Sequence, residues 1–475
     1  MDEISYLGGR ELAARIRSGE ISSREATEAA LRRIEAVNPQ VNAVVTLAAE
    51  AALEQADAAD RRRLAGEDLP ALHGVPVLHK DTHATAGMRT TSGSPLLADN
   101  VPASDDLVIE RMKAAGVISL GKTNTPEFAA GSHTFNPVFG YTHNPYALDR
   151  SAGGSSGGAA AALACGMVAF ADGSDMGGSL RNPAAFCNVV GLRPSPGRVP
   201  NAPDPFGDYT LATSGPMART IDDTALLLSV MAGPDLRAPA ALDRPGSAYA
   251  DVQPVDPASL RIAVAADFGG TMPVEAPVVA AIEAAGRTFE SLGANVERAM
   301  PDLSLADDAF NVRRAWQFAA KFAPVIERFP DGVKDTIKWN VEMGQRLSGA
   351  DIARAVAASE QLYQNVRAFF TEYDALLLPV TQVLPFDERL DYPTQINGQQ
   401  LTTYLEWMRA CSDITPTGAP AISVPAGFSE PTGDAPSLPI GLQIVTQHRA
   451  EDKLLSIAKV YEQATGFSSR RPNLG

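Results

Sequence analysis

The sequence predicts a protein of the α/β class, and three observations support this prediction. Segments with the apolar spacing of helices alternate with short apolar runs that are typical of buried strands. The 475 residues are 45% hydrophobic and 20% charged, which is enough apolar material for a sizeable core. No linker-like stretch divides the chain. We therefore expect one large unit rather than several separate domains.

The first 67 residues are predicted to be largely helical. Ser22 and Glu25 have the spacing of a capping box, and an apolar face at helical spacing follows them. Pro39 is expected to end this helix. A strand is expected within residues 42–47, and an alanine-rich helix over residues 48–64. This region carries little chemistry, so we expect it to serve packing.

Strands and helices alternate over the rest of the chain. The expected strands cover residues 75–78, 117–120, 260–265, 375–379, 421–424 and 438–445. The expected helices cover residues 104–116, 220–231, 277–292 and 451–464, with a mainly helical stretch at 303–373. Residues 383–401 are polar and interrupted by prolines, which favours a long loop that forms part of a pocket wall.

The most informative stretch is residues 153–184, where two serines are each framed by glycines. Residues 153–158 read Gly-Gly-Ser-Ser-Gly-Gly, and residues 172–183 read Asp-Gly-Ser-Asp-Met-Gly-Gly-Ser-Leu-Arg-Asn-Pro. Glycine lets the backbone come close to a ligand. A serine in such a frame can present its hydroxyl and neighbouring N–H groups to one point. Acyl transfer needs that combination of a nucleophile and an oxyanion hole.

This stretch resembles the signature of the amidase signature family of serine hydrolases. The similarity also takes in residues 74–81, 121–124, 214–220 and 418–427, so it covers most of the chain. It implies an amidase signature fold, with one large mixed central β-sheet covered by helices on both faces. We expect a single amidase domain over residues 1–475, with an N-terminal helical part at 1–67, a signature core at 68–230, and further α/β layers with pocket-forming insertions at 231–475.

The resemblance implies a Ser–Ser–Lys triad. Ser179 would be the nucleophile, Ser155 the bridging serine and Lys80 the base. A lysine acts as a base only when neutral, so its pKa of about 10.4 would have to fall by roughly 3 units. Burial among hydroxyls and away from carboxylates would lower it. The resemblance also implies a cis peptide bond between Gly154 and Ser155.

Neighbouring residues are expected to complete the site. The oxyanion hole implied by the resemblance consists of the main-chain N–H groups of Met176, Gly177, Gly178 and Ser179. The positive end of a helix beginning near Ser179 would assist it. Four further residues are expected around the triad, namely Ser156, Ser174, Asp175 and Arg181. For Asp175 and Arg181 the favoured interpretation is an ion pair that holds the loop.

Other patterns in the chain are weaker. Residues 116–123 fit a phosphate-binding loop, but a strand occupies the middle of the pattern and Pro126 follows it. Residues 119–122 fit a Ser-x-x-Lys motif, but that serine lies within a predicted strand. Residues 153–157 also fit a nucleophile elbow, which would need a later catalytic histidine. His448 is the only histidine after His143, and its surroundings do not resemble a catalytic loop.

Two histidines flank Lys80. His79 and His83 are four residues apart, but this segment is predicted as a strand followed by a turn, so the spacing does not favour a metal site. Histidine at position 79 is unusual for the family, and we expect it to touch the substrate pocket. No metal and no cofactor are expected.

Charge and cysteine content limit the partners and the compartment. The net charge of −16 argues against a nucleic-acid partner. The three cysteines, Cys165, Cys187 and Cys411, are too few for a disulfide framework and favour a reducing cytoplasm. The first residues lack the basic start of a signal peptide, and the most apolar run, residues 159–171, is too short for a membrane span.

Together these observations predict a cofactor-free hydrolase that cleaves carboxylic amides through an acyl-enzyme. The alternative is the glutaminase subunit of a tRNA-dependent amidotransferase, which shares the signature, although residues 129–133 depart from the methionine-containing version of that subunit. A binding protein with an inactive site is disfavoured because all three triad positions are filled.

The substrate follows less directly from the sequence. We expect pocket walls at residues 129–139, at residues 203–211 and between Trp316 and Trp407. Their aromatic side chains favour a neutral, partly aromatic amide or carbamate, with ester cleavage as a side activity. A homodimer is an open alternative.

Overall fold

The computed structural model describes residues 3–202, 204, 206–207, 211–431 and 436–474. Its strands, in chain order, are β1 (Val44–Leu47), β2 (Pro76–Lys80), β3 (Ile118–Thr123), β4 (Phe135–Asn136), β5 (Gly140–Tyr141), β6 (His143–Asn144), β7 (Ala147–Ser151), β8 (Phe170–Asp175), β9 (Val190–Arg193), β10 (Thr213–Ala218), β11 (Arg261–Val264), β12 (Asn295–Arg298), β13 (Ala375–Pro379), β14 (Gln395–Ile396), β15 (Gln399–Gln400), β16 (Ala421–Phe428) and β17 (Pro439–Val445). Its α-helices are α1 (Gly9–Ser18), α2 (Ser23–Val41), α3 (Ala49–Leu64), α4 (Leu107–Ala114), α5 (Gly157–Ala164), α6 (Arg181–Phe186), α7 (Ile221–Met231), α8 (Ala276–Ser291), α9 (Ala306–Arg328), α10 (Asp335–Gln345), α11 (Gly349–Phe369), α12 (Arg409–Ser412) and α13 (Glu451–Thr465).

One mixed sheet of 11 strands organises the described chain. Its strand order is β1-β3-β2-β8-β10-β9-β16-β17-β13-β11-β12. Apolar residues of α7, α8 and α13 belong to one core cluster with the sheet, and those of α2, α3 and α5 belong to another. The predicted α/β fold, with a large mixed sheet covered by helices, is therefore confirmed.

The pairing of β2 with β8 positions the chemistry. These two strands are parallel, with Val77 opposite Phe170 and Leu78 opposite Ala171. Parallel strands present their carboxyl ends at the same edge of a sheet. Lys80 ends β2 and Asp175 ends β8. The pairing thus brings two segments that are about 90 residues apart in the chain to one edge.

The N-terminal helices show one confirmed and one wrong prediction. The capping box forms: the Ser22 N–H donates to Glu25 Oε2 at 2.8 Å, and the Glu25 N–H donates to Ser22 Oγ at 3.0 Å. Pro39, however, lies inside α2, which continues to Val41. Proline removes only its own main-chain donor, and Asn38 Oδ1 accepts the N–H of Ala43 at 2.8 Å just past the helix end. The helix therefore ends two residues later than the proline rule predicts.

The stretch at residues 383–401 is not the uninterrupted loop that we expected. It contains the short hairpin of β14 and β15, in which Gln395 lies opposite Gln400. None of these residues lines the main cavity described below. No helix in the described part of the chain is both long enough and apolar enough to cross a membrane.

Candidate active site

A cavity of about 410 Å³ opens where β2 and β8 end. Its lining includes Ser155 at the start of α5, Ser174 within β8, and Ser179 on the loop between β8 and α6. Met176 and Gly177 belong to the same wall. The two serines that glycines frame in the sequence therefore face one space.

Lys80 lies beneath this cavity and is fully buried. Its Nζ donates to Ser155 Oγ at 2.7 Å and to Ser174 Oγ at 3.0 Å. Burial lowers the pKa of Lys80 to about 7, although Asp175 and Asp172 act in the opposite direction. The expectation that carboxylates stay away is therefore wrong, and the loss of solvation outweighs their attraction.

The loops that carry Ser155 and Ser179 are tied together. The main-chain N–H of Ser156 donates to the carbonyl oxygen of Ser179 at 3.1 Å. No side-chain hydrogen bond joins the Ser155 and Ser179 hydroxyls among the described residues, and Ser156 Oγ is buried without a partner there. The peptide bond between Gly154 and Ser155 is cis, as the resemblance implied.

Asp175 and Arg181 form the expected ion pair and hold the nucleophile loop. Arg181 donates through Nε and Nη2 to the two carboxylate oxygens of Asp175, each at 2.9 Å, and both side chains are fully buried. Burial alone would raise the pKa of Asp175, but the charge and hydrogen bonds of Arg181 hold it below its usual range. Asp175 also accepts the main-chain N–H of Gly178 at 2.8 Å and of Leu180 at 3.2 Å. One carboxylate thus fixes both sides of Ser179.

This network changes the predicted oxyanion hole. The Gly178 N–H already donates to Asp175, so it is not free for a substrate oxygen, and Met176, Gly177 and Ser179 are left as the predicted donors. Helix α6 begins at Arg181 and has only six residues, so we give its N-terminus no role. Gly178 has φ +110°, and a Cβ there would lie 2.7 Å from Cys411 Cβ. Glycine at this position therefore serves the loop conformation.

His79 does not touch the substrate cavity, contrary to our expectation. Its ring is fully buried, with Nδ1 2.6 Å from Asp172 Oδ2 and Nε2 2.9 Å from Ser119 Oγ. Burial lowers the pKa of His79. His83 is the histidine that lines the cavity, and its Nδ1 lies 2.6 Å from Asp172 Oδ1. The Nε2 of His83 lies 3.3 Å from Ser214 Oγ, which also lines the cavity.

Asp172 is the hub of this second network and was missed by the sequence analysis. It accepts the main-chain N–H of Lys80 at 3.0 Å in addition to contacting both histidines. Burial would raise the pKa of Asp172, but the two histidines lower it below its usual range. A charged residue inside an apolar strand is the one sequence signal that could have identified it.

The cavity walls agree only in part with the predicted segments. From residues 129–139 only Ala129 and Gly131 line the cavity, next to Phe128. From residues 203–211 Asp204 and Phe206 contribute, whereas Pro203, Pro205 and residues 208–210 lie outside the described residues. From the long stretch between Trp316 and Trp407, the lining comes from α9 alone, and neither tryptophan takes part.

Helix α9 forms the wall that the sequence analysis did not anticipate. The side chains that it contributes to the cavity are Arg314, Gln317, Phe318, Lys321 and Phe322. The aromatic character that we expected is present, but phenylalanines supply it in the described lining. The wall also contains a buried arginine, which departs from the expectation of a purely neutral pocket.

The described residues contain no group of three or more His, Cys, Asp or Glu side chains that could hold a metal ion. The three cysteines are free and buried. Burial raises the pKa of Cys411 to about 12, so this thiol near the loop of Ser179 stays protonated at neutral pH.

Comparison with known proteins identifies the class that this fold and cavity define, a hydrolase acting on carbon–nitrogen bonds other than peptide bonds. A family model described as Amidase matches residues 25–455. The chain belongs to this family, the amidase signature enzymes.

Three proteins illustrate the similarity. The chain is 35% identical over 477 residues to an acylamidase of Rhodococcus erythropolis, covering 99% of this chain and 98% of that protein. It is 38% identical over 502 residues to one component of the glutamyl-tRNA(Gln) amidotransferase of Moorella thermoacetica, covering 100% and 99%. The crystal structure of a bacterial aryl acylamidase superimposes with a TM-score of 0.88 at 30% identity, covering 98% and 99%.

Proposed function

We propose that this amidase cleaves its substrate through an acyl-enzyme on Ser179, with Lys80 as the base and Ser155 as the proton relay between them. The observation that carries this proposal is the buried amine of Lys80, which has a pKa of about 7 and lies 2.7 Å from Ser155 Oγ. An uncharged amine at neutral pH can accept a proton, which an exposed lysine cannot.

The proposed reaction conserves its protons along one path. Ser179 Oγ attacks the amide carbon while its proton passes to Ser155 and the proton of Ser155 passes to Lys80. The resulting oxyanion is bound by main-chain N–H groups of Met176, Gly177 and Ser179. Collapse of the tetrahedral intermediate expels the amine, which takes a proton from Lys80 through Ser155. Water then cleaves the acyl-enzyme by the same path, restoring the free enzyme.

The cavity supports a substrate with an apolar or aromatic part. Phe128, Phe206, Phe318 and Phe322 line it, and its volume of about 410 Å³ suits a small molecule. The acylamidase and aryl acylamidase relatives support an aryl amide or a related carbamate, with ester cleavage as a side activity.

A panel of anilides, primary amides, carbamates and esters tests the proposed function. The purified chain is expected to turn over members of the panel without partner protein, ATP or tRNA. The Ser179→Ala variant is expected to be inactive but folded, as judged by circular dichroism and thermal unfolding. Full activity of this variant would reject the assignment of the nucleophile.

A second candidate function is the glutaminase subunit of a tRNA-dependent amidotransferase. The similarity to the Moorella protein over the whole chain favours it. This function predicts release of ammonia from glutamine that depends on a partner protein, with no turnover of the anilides by the chain alone. The same panel, extended by glutamine, therefore distinguishes the two functions.

A further inference from the structure

The substrate cavity contains a buried cation whose charge is not balanced by the described chain. Arg314 on α9 lines the cavity and is only 4% exposed. Its Nη2 donates to the Tyr404 hydroxyl oxygen at 2.8 Å, and its Nη1 donates to Met176 Sδ at 3.1 Å. None of the partners found for Arg314 among the described residues is a carboxylate. A buried charge without a counter-ion is unfavourable, so the position calls for an anionic ligand.

The guanidinium is held in a fixed position. Its Cζ lies 4.2 Å from the ring centroid of Phe318. The Tyr404 hydroxyl that accepts from Arg314 is itself fixed, because it also accepts from Asn340 Nδ2 at 2.7 Å. These contacts use two of the five N–H donors of an arginine, and Nε has no partner in the described chain. A pre-positioned guanidinium with unused donors suits bidentate binding of a carboxylate.

The neighbouring side chains of α9 fit a ligand that combines an acidic group with an apolar body. Lys321 lies seven residues beyond Arg314 on the same helix face and lines the cavity as well. Phe318 and Phe322 lie between and beside these two cations. The wall therefore offers positive charge and aromatic surface together.

Two carboxylates also line the cavity, but both are occupied. Asp106 Oδ2 accepts the N–H of Ala84 at 2.8 Å. Asp204 Oδ1 accepts the N–H of Phe206 at 2.9 Å. Neither is among the partners found for Arg314, so they do not replace the missing counter-ion.

We propose that Arg314 binds a carboxylate of the substrate, so that the preferred substrates are amides carrying an acidic group on their acyl or amine part. The inference rests on the proposed amidase function and replaces the neutral substrate that the aromatic residues alone indicated. Arg314 contacts the side chain of Met176, whose main-chain N–H is a predicted oxyanion donor. The acidic group therefore lies near the scissile amide and not at the cavity mouth.

Two matched substrate pairs test this proposal. Succinyl-p-nitroanilide is compared with butyryl-p-nitroanilide for the acyl part, and 4-acetamidobenzoate with acetanilide for the amine part. In at least one pair the acidic member is expected to have a kcat/KM about tenfold or more above that of the neutral member, because a charge-assisted pair is formed. In the Arg314→Gln variant this preference is expected to vanish, and Arg314→Lys is expected to restore part of it.

The neighbouring arginine provides the control. Arg313 Nη1 donates to Ser359 Oγ at 3.1 Å, and Arg313 does not line the cavity. Arg313→Gln removes the same charge from the same helix and is expected to keep the preference. Thermal unfolding shows that each variant is folded. Equal kcat/KM values within both pairs, or a preference that survives Arg314→Gln, would overturn the proposal.

A binding measurement separates this inference from the proposed catalytic function. Calorimetry of the Ser179→Ala protein with succinyl-p-nitroanilide reports binding without turnover. Affinity is expected to fall about tenfold or more when Arg314→Gln is added, and to stay unchanged when Arg313→Gln is added. This result supports the role of Arg314 even if Ser179 proves not to be the nucleophile. Unchanged affinity in the Arg314 variant contradicts it even if Ser179 is confirmed.

Discussion

Asp172 is hydrogen-bonded to the main chain of Lys80 and not to its amine. The Lys80 N–H donates to Asp172 Oδ1 at 3.0 Å, whereas the amine of the same residue donates to Ser155 and Ser174. The carboxylate thus fixes the end of β2 against β8 while leaving the amine to the hydroxyls. Burial then dominates the pKa of Lys80 and brings it to about 7. This separation of tasks allows the proposed base to be neutral at neutral pH.

The first prediction concerns the effect of Asp172 on the pH profile. Asp172 raises the pKa of Lys80, so removing its charge with Asp172→Asn should lower this pKa further. The ascending limb of kcat/KM is expected to move to lower pH. Asp106→Asn removes a carboxylate that lines the cavity but is not among the groups that shift the Lys80 pKa, and it should leave the limb in place. A limb that moves to higher pH in Asp172→Asn would contradict the account.

The second prediction separates Lys80 from His83. An unperturbed histidine titrates near pH 6.5, close to the value of about 7 for Lys80. His83 lines the cavity, so it could cause a similar limb. The His83→Gln variant is expected to retain the limb of kcat/KM, even if the rate itself falls. Loss of the limb in this variant would assign it to the histidine.

The third prediction links Lys80 to stability. Its pKa is about 7 in the folded protein and about 10.4 in an unfolded chain. Between these values the unfolded chain binds the proton and the folded chain does not, so the free energy of unfolding increases with rising pH. Relative to Lys80→Met, the wild type should gain on the order of 2–3 kcal/mol between about pH 7 and pH 9. Denaturant unfolding of both proteins at each pH measures this difference, and a constant difference would contradict the lowered pKa.

The fourth prediction concerns the buried pair of Asp175 and Arg181. Asp175→Asn leaves the fully buried guanidinium without its carboxylate, which should destabilise the protein by about 3–5 kcal/mol. Turnover should also fall, because the N–H groups of Gly178 and Leu180 lose the carboxylate acceptor that fixes the nucleophile loop. Asp387→Asn breaks an exposed pair with Arg389 and should cost less than about 1 kcal/mol. Equal losses in the two variants would show that the buried pair does not hold the loop.

The fifth prediction concerns Gly178. Ala at this position meets Cys411 Cβ at 2.7 Å and must also adopt φ +110°. Gly140→Ala is the matched control, because Gly140 also has a positive φ, +79°, but has open space around it. Gly178→Ala should lower the free energy of unfolding by about 1–3 kcal/mol more than Gly140→Ala does, and only Gly178→Ala should lower kcat. Similar effects in both variants would mean that the contact with Cys411 is relieved easily.

The extent to which the sequence predicts this site depends on distance along the chain. Ser155 and Ser179 could be found because their glycine frames form one continuous motif, and Lys80 because it ends a strand with a recognisable flank. Asp172 and His79 meet only through the parallel pairing of β2 and β8, which no local pattern reveals.

Arg314 was missed for the same physical reason. It lies 135 residues from Ser179, and its helix reads as ordinary amphipathic structure. Only the packing of α9 against the loop of Met176 places it in the cavity. The Gly178 N–H was assigned to the oxyanion hole because a motif shows which donors are near, but not which are already used by Asp175.

The most direct test of the central claim follows the pH dependence of the reactivity of Ser179. A fluorophosphonate probe modifies an activated serine without needing a leaving amine, and mass spectrometry identifies the modified residue. The account predicts that Ser179 is labelled, that the rate rises about tenfold per pH unit up to a plateau beginning near pH 7, and that Lys80→Ala abolishes this rise. Labelling at another residue, or the same pH dependence in Lys80→Ala, would contradict the claim that a neutral Lys80 activates Ser179.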